Sequence, residues 1–260
     1  ISDRRALETL VGDQRKSGIA LSTLGFGGGN YNDAMAEQLA DVGDGNHAYI
    51  DTLQEARKVL VDEMQSTLLT IARDVKIQVE FNPAQVAEYR LIGYENRALR
   101  NEDFANDRVD AGDIGAGHEV TALYEITLAG SGAERLPPLR YAGSRAIPPA
   151  TAASTEIAHL RLRYKLPDAD ASRLIEVPVL RSQFTPEASE SLRFSAAVAA
   201  FADALRGGTQ MDAWSLDNIA DAARNAQGSD RWGLRAEFLQ LVTAARQQVD
   251  AQSRSAAIAD

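Results

Sequence analysis

The sequence predicts an α+β protein in three successive parts: a doubly wound α/β segment over 1–74, an antiparallel β-sandwich-like unit over 75–183, and a small helical unit over 184–252. Three observations predict it. In the first part, apolar stripes at helical spacing alternate with short continuous apolar runs, as when helices alternate with buried parallel strands. In the second, apolar and polar residues alternate one by one, as on strands with one wet face. In the third, the period returns to that of a helix, and residues 253–260 are a small, polar tail expected to be disordered.

Taken in order, residues 1–16 place Leu7, Leu10 and Val11 at helical spacing among charged residues. Ile19-Ala-Leu-Ser-Thr-Leu-Gly-Phe26 reads as a strand buried on both faces, turned by Gly27-Gly28-Gly29. Asn32 or Asp33 caps a helix through Met35, Leu39 and Ala40, which Gly43 stops. His47–Ile50 is a second short strand. Asp51 or Thr52 then caps a long helix that keeps Leu53, Ala56, Val59, Leu60 and Met64 on one side. Helix, strand, helix, strand, helix implies a parallel sheet.

The next strands are Val75–Phe81, ended by Pro83, then Tyr89–Tyr94 and His118–Ile126, with an acidic loop from Asn101 to Gly117 between the last two. Ala129–Thr155 is rich in Gly, Pro, Ala and Ser and reads as a long connection. Glu156–Leu166 and Leu174–Val179 are two more strands around a Pro-Asp turn region. Beyond Pro186, Phe194, Val198, Phe201 and Leu205 form one helical stripe, ended by Gly207-Gly208. Ser215 caps a second helix with Leu216, Ile219 and Ala223 inward. Phe238, Leu241, Val242 and Ala245 mark a third, and the chain is expected to fray after Asp250.

A formal net charge of −10 opposes a phosphate backbone as ligand unless the basic residues form one patch. The longest basic alternation is Arg161, Arg163 and Lys165 on one strand face, so nucleic acid is not an expected partner. Without cysteine there are no disulfides, thiolate metal sites or cysteine nucleophile. No apolar run approaches the ~20 residues that span a bilayer. The chain opens on Ile1 without a signal peptide, which reads as an excised piece.

Gly25-Phe-Gly-Gly-Gly29 fails the dinucleotide pattern, because Asn30 stands where the last glycine belongs, and no Walker lysine follows. A turn where backbone passes close by is the expected role. The acidic loop holds Glu102, Asp103, Asp107, Asp110 and Asp113. Of these, Asp103, Asp107, Asp110 and Asp113 are an alternative ligand set for Ca²⁺, which takes six to eight oxygens. The spacing is not that of an EF-hand, Arg100 and Arg108 offset part of the charge, and a solvated loop is favoured. Asp41-Val-Gly-Asp-Gly-Asn46 is explained by a turn. His47, His118 and His159 have no zinc-site spacing, and no G-x-S-x-G elbow is present, so no catalytic residue is assigned. Trp214, Trp232 and Tyr94 could form a ligand platform, but core packing is favoured for them.

The run from Ile19 through Asn32–Leu39, Gly45-Asn-His-Ala-Tyr-Ile-Asp51 and Leu53–Val61 resembles the last third of a von Willebrand factor A domain. Tyr89-Arg-Leu-Ile-Gly-Tyr-Glu-Asn-Arg97, the stretch Asp110–Glu125 and Arg193-Phe-Ser-Ala-Ala-Val-Ala-Ala-Phe201 with Leu205-Arg206 are more distinctive. Together they resemble the bacterial YfbK-like family, in which an A domain precedes a conserved C-terminal region. The resemblance runs from about residue 1 to 250.

The resemblance implies a non-enzymatic protein-binding or assembly module with a protein ligand, in an extracytoplasmic setting. It also implies a Mg²⁺ or Ca²⁺ site built from a D-x-S-x-S loop, a threonine loop and an aspartate on earlier strands. The sequence contains no D-x-S-x-S, so no metal ligand is carried over to this chain, and the cofactor is expected only with upstream strands. A half sheet leaves an open edge, through which a homodimer is an expected outcome. Two rival readings are an enzyme with a site near residues 101–118, including His118, and a cytosolic partner of a chaperone-type ATPase.

Overall fold

The computed structural model describes residues 4–27, 31–93, 98–109, 111–136, 155–208, 211 and 214–259, with side chains through 252. The architecture is mixed α/β with open sheets. Contacts divide the chain into two compact units: one comprises Ile1–Glu88, Asn96–Val120 and Thr127–Ser182, the other Tyr89–Glu95, Thr121–Ile126 and Gln183–Asp260. The span 75–183, expected as one β unit, contributes to both.

The first unit opens with α1 (Arg4–Lys16), β1 (Thr23–Phe26), α2 (Asp33–Val42) and β2 (His47–Ile50). β1 and β2 pair in parallel from Thr23↔His47 to Phe26↔Ile50, the relation the alternating pattern predicts. Asn32 caps α2 by accepting a hydrogen bond from the Met35 amide at 3.0 Å, and Gly43 closes it. At Gly45 a Cβ would lie 1.9 Å from the Leu21 carbonyl oxygen, so only glycine fits this turn.

Two expectations need correction here. The strand expected from Ile19 to be buried on both faces begins at Thr23, and of its residues only Gly25 is buried. Leu24 and Phe26 point to the face opposite Gly25 and are 42% and 60% exposed. The long helix after Thr52 is also interrupted. Thr52 caps it as expected, accepting from the Glu55 amide at 3.1 Å, but α3 ends at Arg57. A single π turn over Lys58–Asp62 follows, closed by the Glu63 amide on the Lys58 carbonyl, and α4 (Met64–Leu68) resumes from there. Of the expected stripe Val59 is buried while Leu53, Leu60 and Met64 are exposed.

β3 (Thr70–Phe81) starts five residues before the expected Val75. It pairs antiparallel with β7 (Glu156–Lys165), which pairs antiparallel with β8 (Ser172–Leu180). Two-residue β5 (Ile114–Gly115) adds to the other edge of β3, giving the order β5-β3-β7-β8. Pro178 is tolerated in β8 because that strand is an edge. β4 (Val86–Ile92) and β6 (Leu123–Leu128) form a separate two-stranded sheet. The strand expected from His118 therefore starts at Leu123. Residues 137–154 of the expected long connection lie outside the described residues.

In the second unit, Ser189 caps α5 (Glu190–Leu205) and Ser215 caps α6 (Leu216–Arg224), each accepting from an amide at 3.2 Å. Ala197, Ala200, Phe201, Ile219, Ala223 and Val242 form the buried core. Phe238 of α7 (Leu234–Ala259) sets its edge against Phe194 and Phe201, both at 5.4 Å between ring centres. Where fraying was expected after Asp250, α7 continues to Ala259, through residues such as Ala, Gln and Arg that favour helix.

Candidate functional site

The acidic loop and the basic strand face, which each drew attention separately in the sequence, meet in the structure. Arg161, Arg163 and Lys165 share one face of β7, and Lys76 of β3 lies opposite Arg163 in register. The loop descends on this face. Asp107 accepts from Arg163 at 3.0 Å, and its backbone carbonyl accepts from the Lys165 ammonium at 3.1 Å. Lys76, only 2% exposed, donates to the Asn106 carbonyl at 2.6 Å. Lys165 also reaches the carboxylate of Asp74. Arg161 is held from the other side by Glu176 of β8 at 3.2 Å.

Asp74 positions residues 111–113 of the loop. It sits at the register shift between Arg73 and Lys76 with φ of 50°, a left-handed conformation that Asp tolerates better than most residues. Its carboxylate accepts from the Ala111 amide and its own amide donates to the Asp113 carboxylate, both at 3.2 Å. The Val75 amide donates to Gly112 at 2.9 Å. A hydrogen bond from Ser172, then the charges of Arg163 and Lys165, hold the Asp107 carboxyl below its ordinary pKa, against the opposing effect of desolvation.

The structure spreads the alternative Ca²⁺ ligands apart. Asp103 pairs with Arg100 at 3.2 Å, Asp107 with Arg163, and Asp113 with the Asp74 amide, while Asp110 lies outside the described residues. Among the described residues no three His, Asp or Glu side chains converge as a metal-holding group. Asp103, Asp107 and Asp113 face N–H donors of their own chain, which does not fit a cage of six to eight oxygens. His118 is exposed, and its amide closes a turn onto Gly115 at 3.1 Å. His159 stands 4.0 Å from Glu176.

A polar cluster that the sequence did not single out lies where β1, β2 and α2 meet. The His47 ring is 2.9 Å from the Thr23 hydroxyl through Nδ1 and 2.9 Å from the Asp33 carboxylate through Nε2. Tyr31 stacks on His47 and lies tilted against Tyr49, with ring centres 6.4 and 5.3 Å away. Tyr31 fills the space over Gly25, where a Cβ would be 2.3 Å from its ring, so close approach explains that glycine. Burial foremost, then Asp33 and Tyr49, raise the Tyr31 pKa.

The tryptophans do not share one platform. Trp214 packs on the helical core and borders an apolar cleft of about 390 Å³ with Ile92, Leu123, Tyr124 and Leu192. Trp232 borders another cleft and carries the Arg231 guanidinium 4.7 Å above its ring. Tyr94 lies outside the described residues.

The opposite face of the four-stranded sheet is apolar in three rows across β3, β7 and β8. They are Ile77–Leu162–Ile175, Val79–Leu160–Val177 and Phe81–Ala158–Val179. Ile77, Ile175 and Val177 are 46%, 47% and 43% exposed. The two faces thus differ in kind: one is charged and covered at its Lys165 end by the chain's own loop, the other is apolar and partly open.

Residues 66–248 match the family described as "Uncharacterized protein YfbK, C-terminal". Over 242 residues, 93% of this chain, the sequence is 49% identical to "Uncharacterized protein YfbK" of Escherichia coli (strain K12). The match spans 41% of that relative's length. A crystal structure of the ArnB paralog VWA2 from Sulfolobus acidocaldarius aligns with 84% of this chain and 50% of its own, at 14% identity and a TM-score of 0.41. The chain therefore belongs to the YfbK family, and its residues 66–248 are that family's C-terminal region.

Proposed function

We propose that this chain is a non-enzymatic protein-binding module whose contact surface is the apolar face of β3, β7 and β8. The carrying observation is the difference between the two faces of that sheet. Three cross-strand apolar rows leave Ile77, Ile175 and Val177 nearly half exposed, and covering such side chains is the usual driving force of protein association. Pro178 lacks an N–H and so weakens strand addition along the β8 edge, which favours docking onto the face. The divalent-ion site that the A-domain resemblance implies would belong to residues outside this chain, which spans less than half of its curated relative.

Photo-cross-linking in cells tests the reading, with benzoylphenylalanine placed at Val177 or at Glu176 on the other face. Protein adducts at 177 and not at 176 are the expected result. No adduct at 177, or equal adducts at both positions, would overturn it.

The exposed Leu24 and Phe26 of β1 favour a second contact, pairing of the parallel sheet with another strand. Sedimentation velocity over a range of concentrations tests it. A dimer that Phe26→Asp disperses supports a second copy, and a monomer throughout would overturn this second contact.

A further inference from the structure

We propose that the junction of β1, β2 and α2 is a proton-dependent latch centred on His47. The Thr23 hydroxyl lies 2.9 Å from the Ala36 carbonyl and 2.9 Å from His47 Nδ1. A hydroxyl has one proton to give, and a carbonyl can only accept. When Thr23 donates to Ala36, Nδ1 must carry a hydrogen to complete the second contact. Nε2 faces the Asp33 carboxylate at 2.9 Å, an acceptor only when ionised, so it too must carry a hydrogen. All three contacts are hydrogen bonds at once only when the ring holds both protons.

Loss of either ring proton removes a tie of α2 to the strands. If Nδ1 is bare, Thr23 turns its hydrogen to the ring and releases the Ala36 carbonyl. If Nε2 is bare, it confronts the Asp33 carboxylate without a hydrogen between them. Ala36 and Asp33 both belong to α2, so the neutral ring loosens the same helix in either tautomer. The His47 side chain is 15% exposed and that of Asp33 is 68% exposed, so the tie to Thr23 and Ala36 is the more sheltered.

The titratable group bonded to the ring is Asp33, with Tyr31 stacked on the ring and Tyr49 beyond on β2, and Glu37 follows Asp33 by four residues in α2. α3, which also touches β2, brings Glu55, held by Lys58 at 3.0 Å, and Arg57. An imidazole is the side chain suited to change state between about pH 5 and 8.

The test is a series of thermal melts of the chain and its His47→Gln and Asp33→Asn variants from pH 5 to 8. His118 and His159 remain in every variant, so their contributions cancel in the difference. The melting temperature of the unmodified chain is expected to exceed that of His47→Gln most at pH 5, with the gap narrowing by roughly 2–4 °C towards pH 8. Asp33→Asn should flatten the same dependence. A gap that does not change with pH would overturn the latch. ¹⁵N spectra of His47 in the unmodified chain decide independently of whether a variant folds. Both nitrogens protonated at pH 5 is expected, and a neutral single tautomer there would refute it.

Discussion

Lys165 of β7 and Asp74 of β3 form an ion pair whose side chains are only 11% and 15% exposed. Lys165 continues to the Asp107 carbonyl and Asp74 to the Ala111 amide, so one largely buried pair holds the middle of the acidic loop at two points. Removing one partner of such a pair leaves the other charge buried without its counterion. Lys165→Met is expected to cost about 3–5 kcal/mol in urea unfolding. Combined with Asp74→Asn, it should cost clearly less than the sum of the two single changes. Additive losses would show that the pair does not act as a unit.

Asp107 gives the loop an acid-sensitive fastening. Its carboxyl has an ordinary pKa near 3.8, and the folded state lowers it through Ser172 first, with Arg163 and Lys165 adding to the effect. A depressed folded pKa contributes stability that is present above the unfolded value and lost as pH falls through the folded one. Unfolding free energy should therefore decline as pH drops below about 4, and the decline should be shallower in Asp107→Asn. Equal acid limbs for the two proteins, measured by urea titration, would contradict this.

Glycine at the loop's end is a steric requirement. A Cβ on Gly115 would lie 1.6 Å from the Ser66 carbonyl oxygen, a backbone atom that cannot rotate away. Gly115→Ala should displace β5 from α4 and cost about 1–3 kcal/mol. Gly112→Ala, three residues earlier, meets nothing within 4 Å and should melt close to the unmodified chain.

How far the sequence revealed these features depended on the range of the interactions. Asn32, Thr52 and Ser215 were legible as caps because each bonds to an amide three residues on. The parallel pair β1–β2 and the apolar alternation of β3 were legible from periodicity. The loop's destination was not. Asp107 and Arg163 are 56 residues apart and Lys165 and Asp74 are 91 apart, so a basic alternation and an acidic loop looked like two features instead of one contact. The π turn after Arg57 and the left-handed backbone of Asp74 left no residue signature. The His47 contacts depend on how α2 folds back over the strands, which places Asp33, 14 residues before it, against the ring.

Asp107 and the backbone carbonyls of Asn106 and Asp107 bind Arg163, Lys165 and Lys76 on the basic face of the sheet, which makes this stretch of the loop a fastening and not a metal cradle. A thermal titration of the chain with Ca²⁺ tests it most directly, since a ligand that binds the folded state raises the melting temperature with concentration. No rise is expected into the millimolar range. A saturating rise that Asp107→Asn abolishes would contradict it and make the loop an ion site.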